Sequence, residues 1–186
     1  MVLPAALATP FVVTGLFFHQ IAILEIHGWS LQVLAAAFSG YAAGHFITLL
    51  ISGPVVDRLG AGRTLPLSLF PMALGMVLLA VARGNWVAMA YMVLIGITQG
   101  FSASSAGAIW ADRYGVLHLG SIRALTQAIM VVSTATAPVL LGFLLDSGMS
   151  LFILGLAMAA GLLAASFLAW IAPQPRSSRR NPFKSI

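Results

Sequence analysis

Long apolar stretches dominate the chain, and each is ended by a short polar or glycine-rich break. A helix needs about 20 residues to cross the ~30 Å hydrocarbon core of a bilayer, and six stretches are close to that length or longer. They are continuous rather than alternating, which favours helices over the strands of a membrane barrel. The pattern predicts an all-α membrane protein, a bundle over residues 1–172 with six transmembrane helices at about 7–26, 31–53, 65–82, 86–109, 121–144 and 150–171.

Composition supports a surface that faces lipid. Hydrophobic residues make up 60% of the 186-residue chain and charged residues only 7%, against about 25% charged residues in a soluble domain. These values exclude a soluble globular enzyme and a disordered chain. The formal net charge of +5 does not indicate nucleic-acid binding, because the arginines stand singly between apolar stretches and form no basic face.

Basic residues are distributed unevenly between the breaks. Those after the second, fourth and sixth predicted helices hold eight of the nine, and the other breaks hold only Arg83. Because short cytoplasmic loops are enriched in lysine and arginine, both termini are predicted to be cytoplasmic, with Trp29 and Trp86 at the outer interface. The proline-containing basic segment 173–186 is predicted to be a disordered cytoplasmic tail.

Polar side chains concentrate in the first, second, fourth and fifth predicted helices. Such groups are costly in lipid and normally face a bundle interior or a water-filled cavity. These four helices are therefore predicted to surround a polar cavity, with the third and sixth on the lipid side. The predicted substrate contacts are His19, Gln20, His45, Gln99, Ser133 and Thr134.

The two histidines in this set have an alternative role. Histidine changes charge near neutral pH, so His19 or His45 could exchange protons, which would make protons a co-substrate. Either could instead be a neutral side chain bonded to a backbone carbonyl.

Other chemistry finds little support. No nucleotide-binding motif is present, and the chain has no cysteine. His19 and His45 lack the spacing of a helical metal site. Ser102, in the sequence Gly100-Phe101-Ser102, has no histidine in the sixth predicted helix to act as its base. We therefore expect no enzymatic activity, no cofactor and no metal.

A motif that occurs twice in the chain favours a 3+3 inverted repeat. Gly53-Pro54-Val55-Val56-Asp57 ends the second predicted helix and Gly142-Phe143-Leu144-Leu145-Asp146 ends the fifth, 89 residues later. Their predicted membrane sides are opposite, as an inverted repeat requires, and such repeats are typical of transporters. Chance is the alternative, because glycine is common in this chain.

The break after the second helix carries the most specific motif. It reads Gly53-Pro54-Val55-Val56-Asp57-Arg58-Leu59-Gly60-Ala61-Gly62-Arg63 and resembles the G-x-x-x-D-R-x-G-[RK]-[RK] loop of the major facilitator superfamily, with Ala61 in place of a basic residue. The resemblance implies one half of a twelve-helix transporter, namely its C-terminal six helices. It also implies a loop that switches between conformations, with Gly53, Asp57, Arg58, Gly60 and Arg63 as its functional residues. A basic cytoplasmic loop with no moving role is the alternative.

Softer matches indicate a subgroup. Two segments, Asp112-Arg113-Tyr114-Gly115 and Phe18-His19-Gln20, are similar to bacterial carriers related to monocarboxylate and oxalate/formate transporters, which implies a bacterial inner membrane. The segment Ala137-Pro138-Val139-Leu140-Leu141-Gly142 resembles the next-to-last helix of the superfamily. The second helix holds no arginine or aspartate, where monocarboxylate carriers hold a charged pair. This difference weakens the case for an acid anion as substrate.

The expected function is secondary active transport of a small organic solute by alternating access, either symport or antiport. The expected partners are the solute, the lipid bilayer and a missing N-terminal six-helix half or a partner chain. The chain is therefore interpreted as a fragment or as one half of a split carrier. A homodimer of the chain is the alternative. The alternative function is a non-transporting membrane subunit that packs against a partner protein.

Overall fold

The computed structural model describes residues 2–173, and these fold into helices joined by short turns, with no strand among them. The helices are α1 (Leu3–Phe18), α2 (Gln20–His27), α3 (Leu31–Leu59), α4 (Ala61–Val81), α5 (Trp86–Tyr114), α6 (Leu119–Asp146) and α7 (Leu151–Trp170). Five of them are long and apolar enough to span a membrane, or six spans result if the bent pair α1 and α2 counts as one. The predicted all-α membrane fold is confirmed. The predicted tail, apart from Pro173, lies outside the described residues.

The first predicted helix is divided in two. α1 and α2 meet at His19 with a bend of 66°. The backbone N–H of His19 donates to the Leu16 carbonyl at 3.0 Å, an i→i−3 bond, and its ring Nδ1 donates to the Gly15 carbonyl at 2.9 Å. The side chain thus satisfies a carbonyl next to the break. No proline or glycine lies at the break itself, so the usual local signals of a helix interruption are missing from the sequence.

Several helices run past their predicted ends. α3 and α5 each contain 29 residues, which at 1.5 Å per residue is about 43 Å, longer than the hydrocarbon core. Apolar composition marks only the part of a helix in lipid, and polar turns such as Val55–Leu59 continue beyond it. We call the end of the bundle that holds Arg58, Arg63, Arg113 and Arg123 the arginine end, and the end that holds Trp29 and Trp86 the tryptophan end.

α4 is the most deeply packed helix, with thirteen of its 21 residues buried between α5 and α7. The prediction that this third span lies on the lipid side is wrong for most of its surface. Only one stripe, which includes Leu67, Phe70 and Leu74, is exposed. An apolar helix suits a protein interior as well as lipid, so the absence of polar residues from α4 could not distinguish the two.

α3 and α6 are the least buried of the long helices. Five of 29 residues are buried in α3 and two of 28 in α6. α3 packs mainly on α5, and α6 packs mainly on α1. Both helices therefore present long surfaces that no other described helix covers.

Four glycines allow α3 and α5 to cross closely. A Cβ atom on Gly44 would lie 2.9 Å from the Val93 carbonyl oxygen, and one on Gly100 would lie 2.8 Å from the Leu49 nitrogen. A Cβ on Gly96 would overlap the Tyr41 carbonyl oxygen, and one on Gly40 would overlap the Met89 sulfur. Small residues at such crossings are the usual means by which membrane helices approach each other.

Candidate functional site

α5 lies at the centre of the polar contacts between helices. Its Ser102 hydroxyl lies 2.9 Å from the Thr9 hydroxyl of α1, and its Ser104 hydroxyl lies 2.5 Å from the Ser52 hydroxyl of α3. Hydrogen bonds between helices satisfy groups that would otherwise be unpaired in an apolar medium. The polar side chains of α5 thus partly serve to join α1 and α3 to it.

His19 lies at the break between α1 and α2 and faces α6. Its Nε2 is 3.1 Å from the position that a Cβ atom on Gly142 would occupy, and the side chain is half-buried. One ring nitrogen is thus used by the Gly15 carbonyl, and the other lies against the α6 backbone.

Gln20 points elsewhere. It is 4% exposed, and its Oε1 accepts a hydrogen bond of 2.6 Å from the Tyr91 hydroxyl of α5. Its Nε2 is buried without a partner among the described residues. Successive residues differ by about 100° around a helix, so His19 and Gln20 face different neighbours, and Gln20 lies within the packing of α2 against α5.

The contact between Tyr91 and Gln20 provides a test of this packing. Tyr91→Phe is expected to destabilise the folded chain by about 1–2 kcal/mol, because it leaves both polar ends of a buried amide unpaired. The double variant Tyr91→Phe with Gln20→Leu should recover much of that loss, since it removes both partners. Unfolding in mixed micelles would measure both variants. Strictly additive effects would show that the two side chains do not interact.

His45 and Gln99 both lie at the crossing of α3 and α5. The His45 ring is half-buried, with its centroid 5.8 Å from that of Tyr41. Its backbone packs on Gly96 and Gly100, the two glycines on either side of Gln99 along α5. The Gln99 Oε1 is buried without a partner among the described residues. An unpaired acceptor in the interior is costly, which makes Gln99 a candidate for a water or a solute donor.

Ser133 and Thr134 are half-buried on α6. The Thr134 hydroxyl donates within its own helix, to the carbonyls of Met130 and Val131 at 3.0 Å. The Ser133 carbonyl accepts from the Thr136 hydroxyl at 2.9 Å. Thr134 thus has its donor engaged, whereas the Ser133 hydroxyl has no hydrogen bond to a described residue.

The motif at the turn between α3 and α4 lies on the surface. Gly60 adopts a φ of +82°, which only glycine adopts at low cost, and its carbonyl accepts from the Thr64 hydroxyl at 3.0 Å. The side chains of Asp57, Arg58 and Arg63 are exposed and make no ion pair with a described residue. A Cβ atom on Gly53 would meet nothing within 4 Å, so no helix of the described part approaches it closely.

Aromatic side chains stack on one another at the tryptophan end. The Trp29 ring stacks on His27 at 4.3 Å and on Tyr91 at 6.0 Å between centroids. Its Nε1 donates to the Gly84 carbonyl at 3.2 Å, and the His27 Nε2 donates to the Leu79 carbonyl at 3.1 Å. Trp29 is 5% exposed, so it packs inside the bundle rather than at a lipid interface. Trp86 is exposed, and its place at the outer interface stays a prediction.

A cavity at the arginine end involves residues that the sequence prediction missed. It has a volume of about 280 Å³ and lies between α1, α5 and α6. The Arg123 Nη2 donates to the Gly107 carbonyl at 2.6 Å across the two helices. Arg123, Thr126, Gln127 and Met130 are spaced i, i+3, i+4 and i+7, which could have shown that they share one face of α6. The prediction instead counts Arg123 among the cations of the preceding break, because it lies close to the expected helix start at residue 121. The lining residues are Leu3, Ala6, Leu7, Ala106, Gly107, Trp110, Arg123, Thr126, Gln127 and Met130.

Within residues 2–173, no group of three or more histidine, cysteine, aspartate or glutamate side chains comes together. The long apolar helices are instead an arrangement suited to a membrane.

Comparison with known families agrees with this arrangement. The family model of the Major Facilitator Superfamily matches residues 2–185. The chain belongs to the Major Facilitator Superfamily. Members of this superfamily are membrane transporters rather than enzymes, so solute transport is the general function of the chain. Comparisons with curated proteins and with solved structures gave no match.

Proposed function

We propose that the chain is one six-helix half of a superfamily carrier, which moves a small organic solute by alternating access as a secondary active symporter or antiporter. The observation that carries this proposal is the exposure of α3 and α6 on either side of α1 and α5. These two long helices hold polar groups yet bury very few residues within the chain. A second six-helix half would cover them and would enclose the polar cleft between the halves.

The packing of the helices also supports a 3+3 inverted repeat. In such a repeat, the bent span of α1 and α2 corresponds to α5, α3 corresponds to α6, and α4 corresponds to α7. The contact of α3 with α5 then has its counterpart in the contact of α6 with α1. The contact of α4 with α5 has its counterpart in the contact of α7 with α1, and the contact of α4 with α7 is its own counterpart. All of these contacts are present. Transporters with such repeats place their solute site near the middle of the membrane, at the interface of the repeats.

The proposed solute contacts are His19, His45, Gln99 and Ser133, with Gln20 and Thr134 as neighbours whose polar groups are already partly engaged. The loop of Gly53, Asp57, Arg58, Gly60 and Arg63 is proposed to bind the other half at the arginine end in one conformation and to release it in the other. Its exposed, unpaired charges are available for such contacts. Protons are the proposed coupling ion, through His19 or His45.

The proposed location is a bacterial inner membrane with both termini in the cytoplasm. This orientation rests on the concentration of arginines at one end of the bundle. It also places the stacked aromatic cluster of Trp29, His27 and Tyr91 toward the outside.

Solute counterflow in proteoliposomes tests the proposed function. Vesicles that contain the chain, alone and with a co-expressed six-helix N-terminal half, would be loaded with unlabelled solutes from a panel of organic acids, sugars and amines. Labelled solute should then accumulate transiently inside for at least one member of the panel. No counterflow with either preparation would instead favour the non-transporting subunit.

A further inference from the structure

A groove on the outside of the bundle lies between α4 and α7. It has a volume of about 360 Å³ and is lined by Leu67, Phe70, Leu163, Ser166, Phe167 and Trp170. Its three aromatic side chains are each more than half exposed. Neither α3 nor α6, the two helices that a second half is proposed to cover, contributes a residue to it. The groove is therefore left open to the lipid.

The register of α4 against α7 gives the depth of the groove. The Ser166 hydroxyl donates to the Pro66 carbonyl at 2.9 Å, and a Cβ atom on Gly155 would lie 2.8 Å from the Ala80 Cβ. The two helices are thus antiparallel, and Trp170, four residues after Ser166, lies level with the first turn of α4 at the arginine end. Tryptophan is enriched where lipid tails meet headgroups, so the exposed Trp170 marks that boundary.

Arg63 lies in this first turn and on the face of α4 that lines the groove. It precedes Leu67 by four residues and Phe70 by seven, which is the spacing of side chains in one row along a helix. Helical side chains lean toward the N-terminus of their helix, which for α4 is the arginine end. The exposed charge of Arg63 is thus at the headgroup side of an apolar groove.

We propose that this groove binds one anionic phospholipid, with its phosphate on Arg63 and an acyl chain against Leu67, Phe70 and Phe167. Trp170 would lie beside the glycerol. The planar guanidinium can donate two parallel hydrogen bonds to phosphate oxygens. A zwitterionic lipid also has a phosphate, but its own ammonium group offsets the charge. The net negative charge of the headgroup therefore decides which lipid binds more tightly.

The sequence that follows α7 also favours an anionic lipid. A cluster of basic residues directly after a spanning helix attracts such lipids to its side of the membrane, and this segment, which lies outside the described residues, contains Arg176, Arg179, Arg180 and Lys184. It raises the local concentration of the lipid, while the groove and Arg63 form the site. Within the loop between α3 and α4, Arg63 is thus assigned to lipid, and Asp57 and Arg58 remain for the other half.

Quenching of Trp170 by brominated lipid tests the inference. The full chain with Trp86→Phe, which removes the other exposed tryptophan, would be reconstituted into phosphatidylcholine vesicles. These would contain equal mole fractions of either dibrominated phosphatidylglycerol or dibrominated phosphatidylcholine. The same chain with Trp170→Phe added gives the background from the buried Trp29 and Trp110.

The quenching of Trp170 should show about fivefold tighter binding of phosphatidylglycerol than of phosphatidylcholine. This is the effect of one basic residue close to an anionic headgroup, about 1 kcal/mol. Equal quenching by the two brominated lipids would overturn the proposal.

Three variants separate the site from the general charge of the surface. Arg63→Gln should abolish the preference for phosphatidylglycerol, and Arg63→Lys should keep most of it, because lysine still offers a point charge to the phosphate. Arg58→Gln, at the same end of the bundle but on α3, is the matched control and should keep the preference. A preference that survives Arg63→Gln, or that Arg58→Gln removes equally, would contradict a site at Arg63.

Two further conditions identify the occupant. Inorganic phosphate, added at constant ionic strength, should not reduce the quenching, because it has no acyl chain to place in the groove; a reduction would assign Arg63 to a free anion. Co-expression of an N-terminal six-helix half should leave the preference intact, and its loss would show that the other half covers the groove. Either contrary result would overturn the lipid site. Neither affects solute counterflow, so this inference and the proposed function fail separately.

Discussion

Gly96→Ala is expected to destabilise the folded chain by about 3 kcal/mol, the upper part of the range for overpacked sites. The added Cβ would overlap the Tyr41 carbonyl oxygen and would lie 2.9 Å from the His45 nitrogen. Both are backbone atoms, which cannot move aside without separating α3 from α5. Unfolding in mixed micelles, followed by circular dichroism, would measure the loss.

Gly161→Ala in α7 is the matched control, because a Cβ there has nothing within 4 Å. It should leave stability unchanged or raise it by up to about 1 kcal/mol, since alanine favours helix more than glycine does. Equal stabilities of Gly96→Ala and the wild-type chain would mean that α3 and α5 do not cross at this distance.

His19→Ala is expected to reduce counterflow about tenfold or more, the effect of losing one polar contact of about 1.4 kcal/mol. Its ring has two nitrogens with different surroundings, so two further variants separate their roles. The amide of asparagine can replace Nδ1 and keep the bond to the Gly15 carbonyl. The longer glutamine side chain can reach the position of Nε2 beside Gly142.

If His19 contacts solute, His19→Gln should retain part of the transport and His19→Asn should not. His118→Ala, at an exposed position before α6, should transport like the wild type. Full activity of His19→Asn would show that the histidine acts only as a structural partner of the Gly15 carbonyl.

The number and type of spanning elements could be predicted from the sequence because hydrocarbon thickness imposes a length on apolar helices. The division at His19 could not, since no proline or glycine marks it and the bond of the His19 ring to the Gly15 carbonyl cannot be read from the sequence. The position of α4 could not be predicted either. Leu65, Leu69 and Met76 are fully buried in the bundle while Leu67 and Leu74 are exposed, and all five are apolar.

For the candidate site too, composition could be used for prediction, whereas the geometry of the side chains could not. The polarity of α5 and α6 could be recognised in the sequence, and both helices contribute residues to the cavity at the arginine end. The side of the helix that each residue occupies could not be predicted, because adjacent residues such as His19 and Gln20 differ in direction by about 100° around the helix axis. Arg123 is grouped with the loop cations in the prediction because helix ends are the least certain part of a helix assignment. Its contact with Gly107 depends on two helices coming together, which no local pattern records.

The accessibility of two introduced thiols during transport is a direct test of alternating access. The chain has no cysteine of its own, so single-cysteine variants carry one reporter each. Ala106→Cys would report from the arginine end, and Ala35→Cys, exposed on α3, from the tryptophan end. Leu67→Cys, on the exposed stripe of α4, is the control.

The rate of labelling by a membrane-impermeant thiol reagent would be measured in nanodiscs with and without the solute that gives the largest counterflow. Alternating access predicts that added solute raises the labelling rate at one of Ala106→Cys and Ala35→Cys and lowers it at the other. The labelling rate of Leu67→Cys should not change. Labelling rates that stay constant at both ends, or that change in the same direction, would contradict alternating access in this chain.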